Sequence, residues 1–176
     1  INASGAPANP KFVTGYKNHM FFAGMSAATQ SLVFSAPLTD NDFQSGNGAG
    51  TINVDSPITG LFPFRDALII FCEERIFKLV GNTLADFQLQ PVTREIGCIN
   101  GSTIQEFAGD IVFLGPDGLR TVAGTAKIGD VELGTISRAV QERFEGLSDV
   151  DEFTSVVIPD KTQYRIFFTN SETPRA

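Results

Sequence analysis

The only histidine, His19, is the one side chain that could act as the base of a Ser-His-Asp or Cys-His catalytic arrangement. It directly precedes an apolar run and follows Lys17 and Asn18, a setting typical of a solvated residue at a strand edge. Cys72 and Cys98 are isolated, so they lack the paired spacing of zinc ligands. We therefore expect a non-catalytic histidine and, because disulfide scaffolds carry denser cysteine, two reduced, buried thiols.

Carboxylates are numerous, and some propeller proteins hydrolyse glycosides with paired acids at a central pore. Glu73 and Glu74 are adjacent in a predicted turn, however, where acidic residues ordinarily serve solubility. No spacing singles out a general acid and a nucleophile, so we predict no catalytic residue and no enzymatic activity. The other acidic residues considered are Glu95, Asp110, Asp130 and Glu132.

Three short motifs could be mistaken for ligand sites. Gly46–Gly50 (GNGAG) has glycines that could cradle a phosphate, but no helix and no Lys-Ser/Thr pair follow it. Asp40-Asn41-Asp42 could contact calcium, yet the rest of an EF-hand loop is missing. Asp117-Gly118 is typical of a tight turn. We interpret the first two as loops and predict no metal and no cofactor.

The elements that would position these residues come from a repeated segment. Phe64–Gly81 (FRDALIIFCEERIFKLVG) aligns without a gap with Phe107–Gly124 (FAGDIVFLGPDGLRTVAG), 43 positions later. Each copy contains an apolar run, at Ala67–Phe71 or Ile111–Leu114, then a turn and a second strand. Short apolar runs bounded by turn signals predict strands buried on both faces. The spacing lies in the range of four-stranded propeller blades.

A third copy precedes this pair, and a fourth predicted hairpin, Thr154–Phe168, follows it. Lys11–Gly24 holds a third copy, in which Met20–Ala23 aligns with the two apolar runs. The segment Thr135–Phe144 departs from the β pattern, because its apolar residues recur at helical spacing. The remaining predicted strands are Ser31–Ser35, Thr51–Val54, Asp86–Val92, Thr154–Ile158 and Gln163–Phe168, with the polar loop Ala36–Gly50 between the first two.

We therefore predict an all-β protein of β-propeller-type blades, stacked antiparallel meanders, with one short helix. The chain starts with Ile and stops inside a possible hairpin, so we expect a fragment of a larger chain. The predicted parts are a linker or arm at 1–10 and blade-like units at 11–58, 59–95, 96–146 (with the short helix at 135–144) and, partially, 147–176.

Charge and composition exclude several classes of protein. A net charge of −7 disfavours a sequence-reading nucleic-acid binder, although an acidic surface could line a channel through which DNA slides. No apolar stretch is long enough to span a membrane. The absence of Trp argues against a WD-type propeller.

These segments resemble the tail nozzle proteins of short-tailed bacteriophages, the tail tubular protein B family. The resemblance lies in Asp55–Thr83, Pro91–Cys98 (PVTREIGC) and Phe113–Thr125 (FLGPDGLRTVAGT). Gly15–Gly24 (GYKNHMFFAG) together with Ser31–Phe43 (SLVFSAPLTDNDF) is similar to the family's blade pattern. Gly129–Phe144 (GDVELGTISRAVQERF) is similar to the short helix between its blades.

The resemblance implies a structural virion protein, assembled in the host cytoplasm and located in the phage tail. Family members form a ring, typically a hexamer, below the portal and adaptor. The ring encloses the channel through which genomic DNA leaves without sequence-specific binding. The expected partners are further copies of the chain, the tail adaptor and tail fibre proteins, with Ala36–Gly50 and Thr135–Phe144 as candidate contact segments. The alternatives are a carbohydrate-active propeller enzyme and a generic propeller interaction module.

Overall fold

The computed structural model describes residues 5–123 and 152–169, which belong to two compact units, Ile1–Gly97 and Cys98–Ala176. The described residues form four antiparallel sheets and include no helix of seven or more residues, which confirms the all-β prediction. The predicted helix Thr135–Phe144 lies outside the described residues. A search of the described part of the chain finds no helix that is long and apolar enough to cross a membrane.

The first unit contains two four-stranded meanders, in which each strand pairs with the next along the chain. Both are built from short runs rich in aromatic and β-branched residues, separated by turn residues. The first sheet comprises β1 (Phe12–Tyr16), β2 (His19–Ala23), β3 (Ser31–Phe34) and β4 (Gly50–Asn53). The second sheet comprises β5 (Ile58–Phe64), β6 (Ala67–Cys72), β7 (Ile76–Val80) and β8 (Gln88–Thr93).

The second unit contains a three-stranded sheet and a separate hairpin. A 3-10 turn, Gly101–Thr103, precedes them, and the Asn100 side chain caps it by accepting a hydrogen bond from the Ser102 amide. The three-stranded sheet comprises β9 (Gln105–Phe107), β10 (Asp110–Gly115) and β11 (Gly118–Thr121), and the hairpin comprises β12 (Glu152–Ile158) and β13 (Gln163–Thr169).

One strand begins later than its pattern predicts. Strand β8 begins at Gln88 rather than at Asp86, because the Asp86 carboxylate closes the preceding turn. That carboxylate accepts hydrogen bonds from the Asn82 and Thr83 amides and from the Thr83 hydroxyl. The same hydrogen bonds, led by the Thr83 hydroxyl, lower the pKa of Asp86. The turn therefore extends two residues into the predicted strand.

The three aligned copies share a hairpin that confirms their alignment. In each copy a two-residue turn joins the first strand to the apolar run, with the pairs Tyr16/His19, Phe64/Ala67 and Phe107/Asp110 closing the turns. These pairs occupy identical positions in the gapless alignment of the copies. All three turns contain residues with positive φ, as tight hairpin turns require.

The apolar runs differ in burial. All of Leu68–Cys72 in β6 and Ile111–Gly115 in β10 are buried, which confirms the prediction of strands covered on both faces. In β2, by contrast, burial alternates, and Met20 and Phe22 are only half-buried. The third copy therefore adopts the predicted strand but is fully covered on one face only.

The core of the first unit lies between its two sheets, which meet through opposite faces of the repeat. The first sheet contributes Phe21 and Ala23, which align with Ile69 and Phe71 of the second copy. The second sheet instead contributes Leu68, Ile70 and Cys72, while Ile69 and Phe71 are buried on its other face. The two copies are thus stacked front to back, which means that corresponding residues lie on the core side of one sheet and on the outer side of the other. The remaining core members are Tyr16, Leu32, Phe34, Val54, Ile58, Phe77 and Leu79.

Candidate functional site

His19 is buried, with 2% of its surface exposed, so the prediction of a solvated edge residue is wrong. The reason is strand parity: His19 lies on the same face of β2 as Phe21 and Ala23, and that face packs into the core. The imidazole Nδ1 lies 2.6 Å from the Ser35 carbonyl oxygen. Because a carbonyl oxygen can only accept a hydrogen bond, Nδ1 carries the proton and donates the hydrogen bond to the Ser35 carbonyl.

Aromatic rings surround the rest of the imidazole. The His19 ring meets the rings of Phe34 and Phe87 edge-on, at centroid distances of 5.5 and 5.4 Å. Nε2 has no hydrogen-bond partner among the described residues. A catalytic imidazole needs a nucleophile on one nitrogen and an orienting group on the other. Because His19 meets a backbone carbonyl on one side and is packed by phenyl rings, it serves the fold by holding β2 to the end of β3.

The residues after β3 form a tight turn, residues 36–40, which we call the Leu38 turn. The Ser35 hydroxyl accepts a hydrogen bond from the Met20 amide and donates to the Thr39 carbonyl, 2.6 Å away. The Leu38 amide donates to the Asn18 carbonyl at 2.7 Å. These bonds fix the Leu38 turn against the β1–β2 hairpin, with a groove of about 460 Å³ between them.

The loop beyond this turn is organised by one carboxylate. Asp42 accepts hydrogen bonds from the Gln44 amide at 2.9 Å and from the Asn47 side-chain amide at 2.7 Å. Gly48 ends the short 3-10 turn Ser45–Asn47 with φ of 95°. The Asp42 oxygens are thus used inside the loop, and the described residues contain no group of three His, Cys, Asp or Glu side chains that could hold a metal ion.

The predicted acidic candidates are only partly brought together. Glu74 and Glu95 line one cleft of about 770 Å³ in the first unit, together with Arg75, Phe77 and Arg94. The guanidinium of Arg75 also pairs with Asp55. The other acidic candidates do not join them. Glu73 does not line this cleft, Asp110 accepts a hydrogen bond from the Ala123 amide in the second unit, and Asp130 and Glu132 lie outside the described residues.

Sequence reasoning missed this cleft because it depends on a close backbone approach. Gly97 lies so near the β6–β7 turn that a Cβ atom there would be 2.2 Å from the Cys72 carbonyl oxygen and 2.3 Å from that of Glu73. Only glycine permits this contact, which brings the Arg94–Glu95 segment beside Glu74. The glycine itself, in the run Glu95–Cys98, was the only available signal.

Both cysteines are free and buried, as predicted. Burial raises the pKa of Cys72 to about 12, with a further contribution from the negative charge of Asp55. The thiol of Cys98 lies 3.2 Å from the Asn100 carbonyl. A thiol with a raised pKa is a weak nucleophile at neutral pH, so Cys72 acts as an apolar core residue.

The predicted tight turn at Asp117-Gly118 is confirmed, since Gly115 and Gly118 close a two-residue hairpin turn. The sequence did not predict the partner of its aspartate. The Arg120 guanidinium is buried and donates two hydrogen bonds to the Asp117 carboxylate, one from Nε to Oδ1 at 2.6 Å. This fork-like pairing neutralises a charge that would otherwise be costly to bury.

No protein-family model matches this sequence, and no curated protein matches it. The described residues provide two stacked sheets in the first unit, an exposed turn held by hydrogen bonds to Asn18 and Ser35, and a polar cleft.

Proposed function

We propose that this chain is a structural component of a bacteriophage tail nozzle, in which propeller-type blades form a rigid scaffold for assembly. It performs no catalysis. Its partners are further copies of itself in a ring, the tail adaptor and tail fibre proteins. Genomic DNA passes through the assembly without sequence-specific contacts.

The front-to-back stacking of the two meanders carries the proposal. A sandwich built from two equivalent sheets would bury the same face of each copy, whereas here Phe21 meets the face that holds Leu68 and Ile70. Front-to-back packing of repeated units is open-ended, and each new unit can cover the face that the last one leaves. This is the packing that propeller blades use.

The environment of the polar residues supports a scaffold role. The single histidine is engaged by a backbone carbonyl and phenyl rings, and the Cys72 thiol has a raised pKa. The sequence resemblance to tail nozzle proteins supplies the virion context. The net charge of −7 is consistent with that context, because an acidic surface repels the DNA phosphates that must slide past.

Native mass spectrometry and electron microscopy of the purified protein test the proposal. We expect closed rings, with a hexamer as the expected size, and we expect the protein to be a stoichiometric component of virions. A monomer at every concentration, absent from purified particles, would contradict the proposal. The monomer result would favour a generic interaction module.

A second candidate function is the binding or hydrolysis of glycans, because Glu74 and Glu95 line the same cleft. Retaining and inverting glycosidases both place two carboxyl groups about the scissile bond. The single variants Glu74→Gln and Glu95→Gln preserve side-chain shape and remove one carboxylate each. If the wild-type protein cleaves bacterial surface glycans and either variant abolishes cleavage, the enzyme candidate replaces the scaffold proposal.

A further inference from the structure

Leu38 is the most exposed large hydrophobic residue in the part of the chain that the structure describes. The residue is 83% exposed, and its backbone has φ of 62°, in the left-handed region that bulky residues avoid. An exposed leucine buries little apolar surface in its own fold, and a left-handed backbone is unfavourable for a residue that carries a Cβ atom. Strained residues of this kind persist where the surrounding structure fixes them, and they cluster at functional positions.

The surrounding structure does fix Leu38. Its amide is bonded to the Asn18 carbonyl, and the Ser35 hydroxyl holds the next carbonyl, that of Thr39. Ser35 is in turn held through its own carbonyl by the buried His19. The Leu38 turn is therefore preorganised to present one apolar side chain, which lowers the entropic cost of docking. Asp40 lies exposed in the same turn, so the apolar tip carries negative charge.

The second unit has a surface with matching chemistry on its β12–β13 hairpin. Cross-strand partners share a face, so the pairs Val156/Arg165 and Thr154/Phe167 define one side of the hairpin. Val156 is 41% exposed and Phe167 is 55% exposed on that side, whereas Phe153 on the opposite side is buried. We call this side the hairpin face. Its full membership is Thr154, Val156, Ile158, Gln163, Arg165 and Phe167.

The hairpin face carries the positive charge of Arg165, whereas the Leu38 turn carries the negative charge of Asp40. Arg165 lies directly beside Val156, and its guanidinium is oriented by two hydrogen bonds to the Gln163 side chain. Asp160 and Lys161 are both exposed in the connecting turn and offset each other, so Arg165 supplies the positive charge of this face. A partner that presents an apolar tip with a carboxylate therefore suits this face, since opposite charges set orientation and steer encounter.

We propose that the Leu38 turn of one copy docks on the hairpin face of a second copy of this chain. Leu38 packs against Val156 and Phe167, while Asp40 lies near Arg165. Because the two surfaces differ, the contact is head-to-tail and generates a ring when the rotation between copies closes. This inference deepens the proposed function, and it rests on the ring assembly proposed there.

Two substitutions that we expect to preserve the fold test the two surfaces independently. Leu38→Asn removes the apolar tip and suits the left-handed backbone, because asparagine adopts that conformation readily. Phe167→Thr removes the aromatic ring and introduces a β-branched residue, which also favours a strand. In sedimentation velocity we expect each variant to weaken self-association at least tenfold, with unchanged circular dichroism and thermal melting. Val13→Thr, at an exposed apolar residue outside both surfaces, is the matched control and should assemble normally.

Mixing the two variants gives the sharpest result. The intact Leu38 turn of the Phe167→Thr protein still fits the intact hairpin face of the Leu38→Asn protein, but no second contact can follow. The mixture should therefore stop at heterodimers.

Charge reversal tests the ionic part of the contact. Asp40→Lys and Arg165→Glu should each weaken assembly, and the double variant should restore it.

The outcomes distinguish this inference from the proposed function. If the wild-type protein forms rings and Leu38→Asn forms them equally well, the docking inference is wrong and the ring proposal stands. If Leu38→Asn blocks assembly and Phe167→Thr does not, the turn docks elsewhere and the assignment of the hairpin face is wrong. A wild-type protein that remains monomeric overturns both.

Discussion

The two four-stranded sheets of the first unit are copies of one meander, yet they differ in how their outer faces are covered. In the second sheet, Ile69 and Phe71 point away from the shared core and are nevertheless buried. In the first sheet, Met20 and Phe22 point away from the shared core and remain half-buried. The ring of Phe43, from the loop after β3, lies 5.5 Å from that of Phe22 and covers part of this face.

The same repeat can therefore form a sheet whose outer face is buried or a sheet whose outer face is only half-buried. The strand core is apolar in both copies, but the first sheet carries exposed Val13, Thr51 and Asn53 on its outer face. Stacked repeats need one such tolerant face wherever a neighbour does not fully cover them. The first sheet therefore has a face fitted to partial solvent contact, and the second has a face fitted to burial.

Truncating one outward phenylalanine in each sheet should give the largest contrast. Phe71→Ala removes a fully buried ring, so we expect a loss of about 3–5 kcal/mol in the free energy of unfolding. Phe22→Ala removes a half-buried ring, for which about 1–2 kcal/mol is expected. Denaturant unfolding of both variants measures the two losses. Equal losses would show that the outer faces do not differ in coverage.

Glycine substitutions should show the same contrast in the connections. At Gly97, beside the second sheet, a Cβ would meet backbone oxygens at 2.2 and 2.3 Å, and a backbone cannot move aside as a side chain can. We expect Gly97→Ala to lose about 1–3 kcal/mol, near the upper end of that range for overpacking. Gly46, in the loop of the first sheet, has no atom within 4 Å of the position that a Cβ would occupy, so Gly46→Ala should be close to neutral.

Thermal melting of the two alanine variants, compared with the wild-type protein, checks this prediction. A Gly46→Ala protein that melts as low as Gly97→Ala would show that the loop is as tightly packed as the segment after β8.

Alkaline pH should destabilise the second sheet through Cys72, which aligns with Gly24 in the first. The pKa of Cys72 is raised from 9.0 to about 12 in the folded protein, chiefly by burial. The unfolded chain therefore loses this proton at lower pH, so the stabilisation is complete below pH 9 and is lost as pH rises towards 12. The loss should approach about 1.4 kcal/mol per pH unit within that window.

Urea unfolding between pH 8 and 11 measures this slope, with Cys72→Ala as the control. The raised pKa of Tyr16 adds a slope of the same sign, which the variant retains. The difference between the two slopes therefore reports Cys72 alone. Identical slopes would mean that the Cys72 thiol titrates equally in the folded and unfolded protein.

The repeat pattern predicted most of the strands because its apolar runs are short, are bounded by turn residues and are rich in β-branched and aromatic residues, which together favour a strand over a helix. It missed the strand that precedes each apolar run, namely β1, β5 and β9. Strand β5 contains Gly60 and Pro63, which weaken the strand pattern, and proline is tolerated there because β5 lies at the edge of its sheet. Strand β9 has only three residues. The two-residue turns before Ala67 and Asp110 were the usable signal for β5 and β9.

The polar environments were less predictable than the strands. The sequence prediction placed His19 in solvent because its neighbours in sequence are polar. It is buried because it lies two residues before Phe21, on the same face of the strand. The cleft at Glu74 and Glu95 could not be predicted, since it depends on a backbone approach between segments distant in sequence. Spacing along the chain specifies which residues share a face, but not which faces meet.

Removal of the Tyr16 hydroxyl should have the smallest effect on stability and tests one specific contact between the two sheets. Tyr16 in the first copy aligns with Phe64 in the second, and the Tyr16 hydroxyl donates a hydrogen bond to the Asp66 carbonyl at 2.8 Å. It therefore ties the hairpin turn of the first sheet to that of the second. Tyr16→Phe gives the first copy the side chain of the second and should cost about 0.5–1.5 kcal/mol, the value of one such bond.

Hydrogen exchange locates that loss. The β1–β2 and β5–β6 turns should both lose protection in Tyr16→Phe, because the bond joins them. The opposite substitution, Phe64→Tyr, is the matched control, and it should leave the protection of the first sheet unchanged. If Tyr16→Phe leaves the protection of both turns unchanged, the hydroxyl does not couple the two copies, and apolar contact between unlike faces is then sufficient to hold them in register.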